Sequence, residues 1–88
     1  MSKISEEKFD SMIENNNIEE LFANVIFVNI PDKNIKEDAL SVLADFPYDL
    51  DDNENIIMPI RCEYVSYSQE ATGFRIILED DSEHIFPM

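Results

Sequence analysis

The residues of this chain that could do chemistry are a run of carboxylates, one histidine and one cysteine. The run is YDLDDNEN, Tyr48 to Asn55, in which four of eight residues are acids and none is basic. Asp49, Asp51 and Asn53 sit at the first, third and fifth positions of a calcium-binding EF-hand loop. Glu54 stands where that loop needs the sixth-position glycine, and Ile60 where it needs the bidentate glutamate. With both anchors absent, no specific calcium site is expected. One His and one Cys cannot furnish the usual ligands of zinc or another transition metal, so no metal or cofactor is expected either. General acid–base work by paired carboxylates requires a partly apolar cleft that splits their pKa values. This run is short and polar and has only Tyr48 as a wall, which reads as a solvated connection.

His84 could serve a Ser–His–Asp constellation only beside Ser66, Ser68 or Ser82, and no nucleophile-elbow sequence is present. Cys62 alternates with polar neighbours onto an inner face, where a cysteine acts as a small hydrophobe. Gly73 is the only glycine, too few for a phosphate-cradling loop. It is read as part of a connection, free to take positive φ. No catalytic residue is assigned, and the chain is not expected to be an enzyme.

The elements that position these residues can be read from periodicity. Ser5 is a good N-cap with Glu6 and Glu7 in the first turn, and Ile4 with Phe9 has the spacing of a hydrophobic staple. Asn17 and Glu20 have capping-box spacing ahead of Ile18, Leu21, Phe22, Val25 and Ile26. The segment at 24–30 also fits a buried strand, but its helical phase favours helix through about Val28. Asn34 and Glu37 repeat the box before Ala39, Leu40, Leu43 and Phe46, and Pro47 ends that helix. From Ile60 the period falls to two. Ile60, Cys62 and Tyr64 alternate with Arg61, Glu63 and Val65; Phe74, Ile76 and Leu78 follow, then a short strand EHIFPM. The expected fold is α+β: two or three N-terminal helices packed on a C-terminal three-stranded antiparallel meander, in one domain spanning 1–88. Val65, Tyr67, Ile77, His84 and Phe86 are expected on the outer face of that sheet, as an apolar and aromatic patch.

Charge supplies the functional signal. The 88 residues carry twenty Asp and Glu against six Lys and Arg, a net −14 at pH 7. Such a surface disfavours nucleic acid and anionic membranes as direct partners and favours a basic protein. Between Lys36 and Arg61 there are seven acids and no base: Glu37, Asp38, Asp45, Asp49, Asp51, Asp52 and Glu54. A second cluster, Glu79, Asp80, Asp81 and Glu83, sits at the last turn. The candidate partner-binding residues are Asp45, Tyr48, Asp49, Asp51, Asp52, Glu54, Tyr67, Glu79, Asp80, Asp81, Glu83 and Phe86. The N-terminal MSKISEEKFDSM lacks the apolar core of a signal peptide, and the lone cysteine suits a reducing compartment, so a cytoplasmic location is expected.

The small size, the acidity, the single unpaired cysteine and the segments YDLDDNEN and GFRIILEDDSEHIF together resemble bacterial immunity proteins of the colicin and contact-dependent inhibition type. That resemblance implies a partner class, a cognate nuclease toxin whose basic active site is occluded. It implies no particular fold, because those families share none. The alternative is a phage-encoded mimic of nucleic acid that inhibits a CRISPR effector or restriction enzyme. Immunity predicts one acidic patch with apolar anchors, mimicry rows of acids across the whole surface.

Overall fold

The computed structural model describes residues 3–66, 68–69 and 71–87. Helix α1 (Glu6–Glu14) begins as its sequence dictates: Ser5 is extended, and its hydroxyl accepts the Lys8 amide at 3.2 Å. Phe9 is the buried residue of α1, and Ile4 packs on the same core. The helix stops at Asn15, and Asn16 takes a left-handed φ of 58°, which asparagine tolerates.

The next segment departs from expectation. Helix α2 (Ile18–Leu21) is a single turn, and its N-cap Asn17 makes no side-chain capping bond. The chain then enters a strand, β1 (Ile26–Val28), instead of continuing as helix to Val28. Its three residues pair in parallel with Arg61, Cys62 and Glu63. A β-branched pair flanking an aromatic residue suits a ladder better than a helix surface. Helix α3 (Lys33–Asp45) is capped by Asp32, whose Oδ1 accepts the Ile35 amide at 2.9 Å, while Asn34 lies inside the first turn. Pro47 holds Phe46 extended (φ −63°, ψ 136°) and ends the helix as expected.

Strands β2 (Pro59–Ser66), β3 (Thr72–Leu78) and β4 (Glu83–Pro87) form the antiparallel meander. The sheet nevertheless has four strands, in the order β1-β2-β3-β4, and is mixed. The architecture is therefore α+β, with β1, α3 and β2 forming a crossover unit before the meander. The expected three-stranded sheet is corrected by the extra parallel edge.

One cluster holds the buried apolar residues. Phe9, Leu21, Phe22, Ala39, Leu43 and Phe46 from the helical half meet Cys62, Phe74, Ile76 and Leu78 from the sheet. Register decides which sheet residues point inward. Phe74 pairs with Phe86 and Ile76 with His84, so Phe86 and His84 share the inner face with Phe74 and Ile76. This corrects their expected outward orientation. Ile60 falls in a bulge between Pro59 and Arg61 and does not join the core. Gly73 belongs to β3 and does not have positive φ; a Cβ there would collide with the Phe86 carbonyl oxygen, so close approach of β4 is what requires glycine. Cys62 is fully buried, and burial pushes its thiol up to about 11, which keeps it protonated at neutral pH.

Candidate functional site

At one end of the sheet the two acidic segments converge on a groove of about 300 Å³. It is lined by Phe46, Pro47, Asp49, Ile57, Asp80, Ser82, His84 and Phe86, with Leu78 beneath. Its floor is aromatic. The Phe46 ring lies 5.3 Å from Phe86, 5.0 Å from His84 in an edge-on contact, and 4.7 Å from Tyr48. Asp49 from the first segment and Asp80 from the second stand in the lining.

The carbonyl end of α3 meets the groove at Phe46, and Asp45 occupies the last helical position with no basic residue in the last turn. The helix dipole places partial negative charge at that end, so Asp45 adds to it instead of offsetting it. Tyr48 offsets part of this by donating its hydroxyl to the Leu43 carbonyl at 2.6 Å. Burial, with a smaller repulsion from Cys62, raises the Tyr48 pKa, so the phenol stays a donor.

The acidic run itself closes as a compact loop. Leu50 bridges Ile56, and the Asp51 Oδ1 accepts the amides of Asn53 and Asn55, each at 2.9 Å. Glu54 turns the chain at φ 64°. The Asn55 amide foremost holds the Asp51 carboxyl below its ordinary value; desolvation opposes it, and the Asn53 amide and Lys3 add smaller lowering effects. In the second segment Asp80 Oδ1 accepts both the Ser82 hydroxyl at 2.6 Å and the Ser82 amide at 3.0 Å. These bonds, the hydroxyl first, depress the Asp80 carboxyl, with His84 adding a charge contribution. Lys3 lies 3.9 Å from Asp51 and 3.8 Å from Glu79 and so links the two segments, through long pairs whose lysine is exposed and whose energetic value is small.

Ser82 and His84 do make the contact that a nucleophilic constellation would need, but in the wrong order. The single hydroxyl proton of Ser82 goes to Asp80, so His84 Nε2, 3.1 Å from Ser82 Oγ, must donate to it. A base for serine activation would have to accept that proton. The chain Asp80–Ser82–His84 fixes the imidazole over Phe46 and orders the groove wall.

Of the residues that charge and patterning put forward for partner binding, the groove gathers Asp49, Asp80 and Phe86 directly, with Asp45 and Tyr48 in the adjoining segment. Asp52, Glu54 and Asp81 are exposed and make no ion pair among the described residues. Asp51 and Glu79 are committed to the fold: Glu79 Oε1 accepts the Met58 amide at 2.8 Å. Glu83 is on the opposite face of the sheet, 2.8 Å from Arg75 Nε, close enough for charge attraction although that N–H makes no aligned hydrogen bond. Tyr67 lies outside the described residues. Phe46 is a site residue that the sequence did not reveal, and His84, expected on the outer face, joins it through the register of β4. The segment EHIFP could have pointed to His84 only if the register of β4 had been known.

A wider, shallower cleft between α2 and α3 carries Glu19, Glu20 and Glu37 without an aromatic wall. Among the described residues no group of three His, Cys, Asp or Glu is placed to hold a metal ion, and no helix is long and apolar enough to cross a membrane. No protein-family model matches the chain, and no curated protein or solved structure matches it.

Proposed function

We propose that this chain binds a basic protein and blocks it, in the manner of an immunity protein that occludes the active site of a cognate nuclease toxin. The observation that carries this reading is the groove. It joins an aromatic floor, Phe46, His84 and Phe86, to Asp49 and Asp80 at the negative end of α3. A cationic side chain with an aliphatic stem fits such a surface: the stem packs on the rings and the charged head meets the carboxylates. The exposed acids around it, Asp52, Glu54 and Asp81, raise the rate of encounter with a basic surface.

Capture from the native host, identification of the partner and assay of its nuclease activity test this directly. The expected partner is basic, binds one-to-one, and loses nuclease activity when the chain is added. Recovery of no basic protein removes the basis of the proposal.

A second reading has its own observation. Exposed acids also run along α1 (Glu6, Glu7, Asp10, Glu14) and across the α2–α3 cleft, as a mimic of nucleic acid requires. Under that reading, neutralising the α1 acids weakens binding as much as neutralising Asp49 and Asp80. Under the immunity reading the α1 acids contribute little.

A further inference from the structure

The outer face of the sheet differs in character from the rest of this acidic molecule. Register places its residues in rows across the strands. One row is Ile26, Arg61, Ile77 and Glu83; the next is Val28, Glu63, Arg75 and Ile85. The apolar members of both rows, together with neighbouring Val65, do not join the core cluster. Ile26 is 64% exposed and Ile85 51%, at the two opposite edges of the sheet. Both arginines of the chain lie here, balanced by Glu63 and Glu83, so the face is neutral on a chain of net charge −14.

Within the face, Arg75 sits between Glu63 at 3.5 Å and Glu83 at 2.8 Å. Arg61 is exposed and makes no ion pair among the described residues. A basic partner gains nothing from a neutral surface carrying an unpaired arginine. A second copy of this chain does: its Ile26 and Ile85 supply apolar contact, and its Glu83, half exposed beside Arg75, can also face Arg61. Any other face would bring strongly negative surfaces together.

We propose that the outer sheet face is a self-association surface on which a second copy of this chain packs face to face across a two-fold axis. In such an isologous contact the same residues serve both partners. Size sets its strength. Four strands at about 4.8 Å spacing and about five residues at about 3.3 Å each make a patch of roughly 19 by 17 Å. That footprint, roughly 320 Å² per copy, is below the size of a stable specific interface, so the dimer is weak and reversible. It leaves the acidic groove on the other side of the sheet free.

Sedimentation equilibrium of the full chain, over a concentration series at low and high salt, tests this. The expected result is a monomer–dimer equilibrium that tightens as salt rises, because ions screen the repulsion between two chains of charge −14. Binding of a basic partner must loosen with salt, so the two readings stand or fall separately. Ile26→Lys and Ile85→Lys, at exposed positions outside the core, each weaken the dimer by about 30-fold or more. Arg61→Glu weakens it by about 3- to 10-fold, and circular dichroism verifies the fold of each variant. A chain that is monomeric at every concentration and salt overturns the proposal. So does a dimer that loosens with salt, or one that survives both lysine variants unchanged.

Discussion

The loop at 48–55 and the turn at 79–82 solve the same local problem and put the result to different uses. Each is closed by one aspartate that accepts two donors, Asp51 from the Asn53 and Asn55 amides and Asp80 from the amide and hydroxyl of Ser82. Each contains one acidic residue with left-handed φ, Glu54 at 64° and Asp81 at 67°. They differ in their surroundings. The first points Asp52 and Glu54 into solvent; the second leads into His84 and Phe86, both packed against Phe46. An acidic run is thus not a uniform charge reservoir. One member holds each turn: Asp51 also lies beside Lys3, whereas Asp80 uses Oδ1 alone and stays exposed in the groove lining. The loop suits long-range attraction, and the turn suits short-range anchoring.

That division can be broken experimentally. The largest effect is expected from neutralising the exposed acids together, Asp52→Asn, Glu54→Gln and Asp81→Asn. Association with the captured basic partner should slow by about 10- to 100-fold at low salt, with little change in dissociation. Surface plasmon resonance across a salt series measures both; an unchanged association rate would show that these acids do not steer. Next, Phe86→Ala should speed dissociation by about 10- to 30-fold and leave association nearly unchanged. Because Phe86 also packs on the core, its melting curve must be recorded alongside.

A smaller effect concerns the segment between the two. Tyr48→Phe removes the bond to the Leu43 carbonyl and should cost about 1 kcal/mol in urea denaturation. Equal stability would mean that solvent satisfies that carbonyl. The smallest effect is on the acid limb. Asp51 and Asp80 have carboxyl pKa values depressed in the fold. Their contribution is therefore complete above the unfolded carboxylate value, about 4, and is lost as pH falls through the lower folded values. Asp51→Asn and Asp80→Asn should each lower the melting temperature at neutral pH and converge on the parent chain in acid. A constant difference down to the lowest pH would place the stabilisation outside ionisation.

Where local chemistry sufficed, the sequence was legible. Ser5 caps α1, Pro47 stops α3, and alternation from Cys62 to Leu78 marks β2 and β3 with Cys62, Phe74 and Ile76 inward. The approximate place of the acidic loop was also readable, from its lack of apolar periodicity. Asn17 takes the expected N-cap position but makes no side-chain bond, and the cap expected at Asn34 failed because a cap depends on where the chain enters the helix. Asp32, two residues earlier than Asn34, reaches the amide of Ile35 first.

Composition and local spacing alone thus determined a chain of net charge −14, its helix boundaries near Ser5 and Pro47, and its change of period after the acidic run. Tertiary structure decided the rest. β1 exists because Ile26–Val28 meet a strand more than thirty residues away, a pairing to which no local pattern points. The faces of His84 and Phe86 follow from the turn at 79–82, which sets Glu83 opposite Ile77. A register shifted by one residue would have exchanged every side chain of β4 between the core and the solvent. The groove and the neutral outer face both depend on that register.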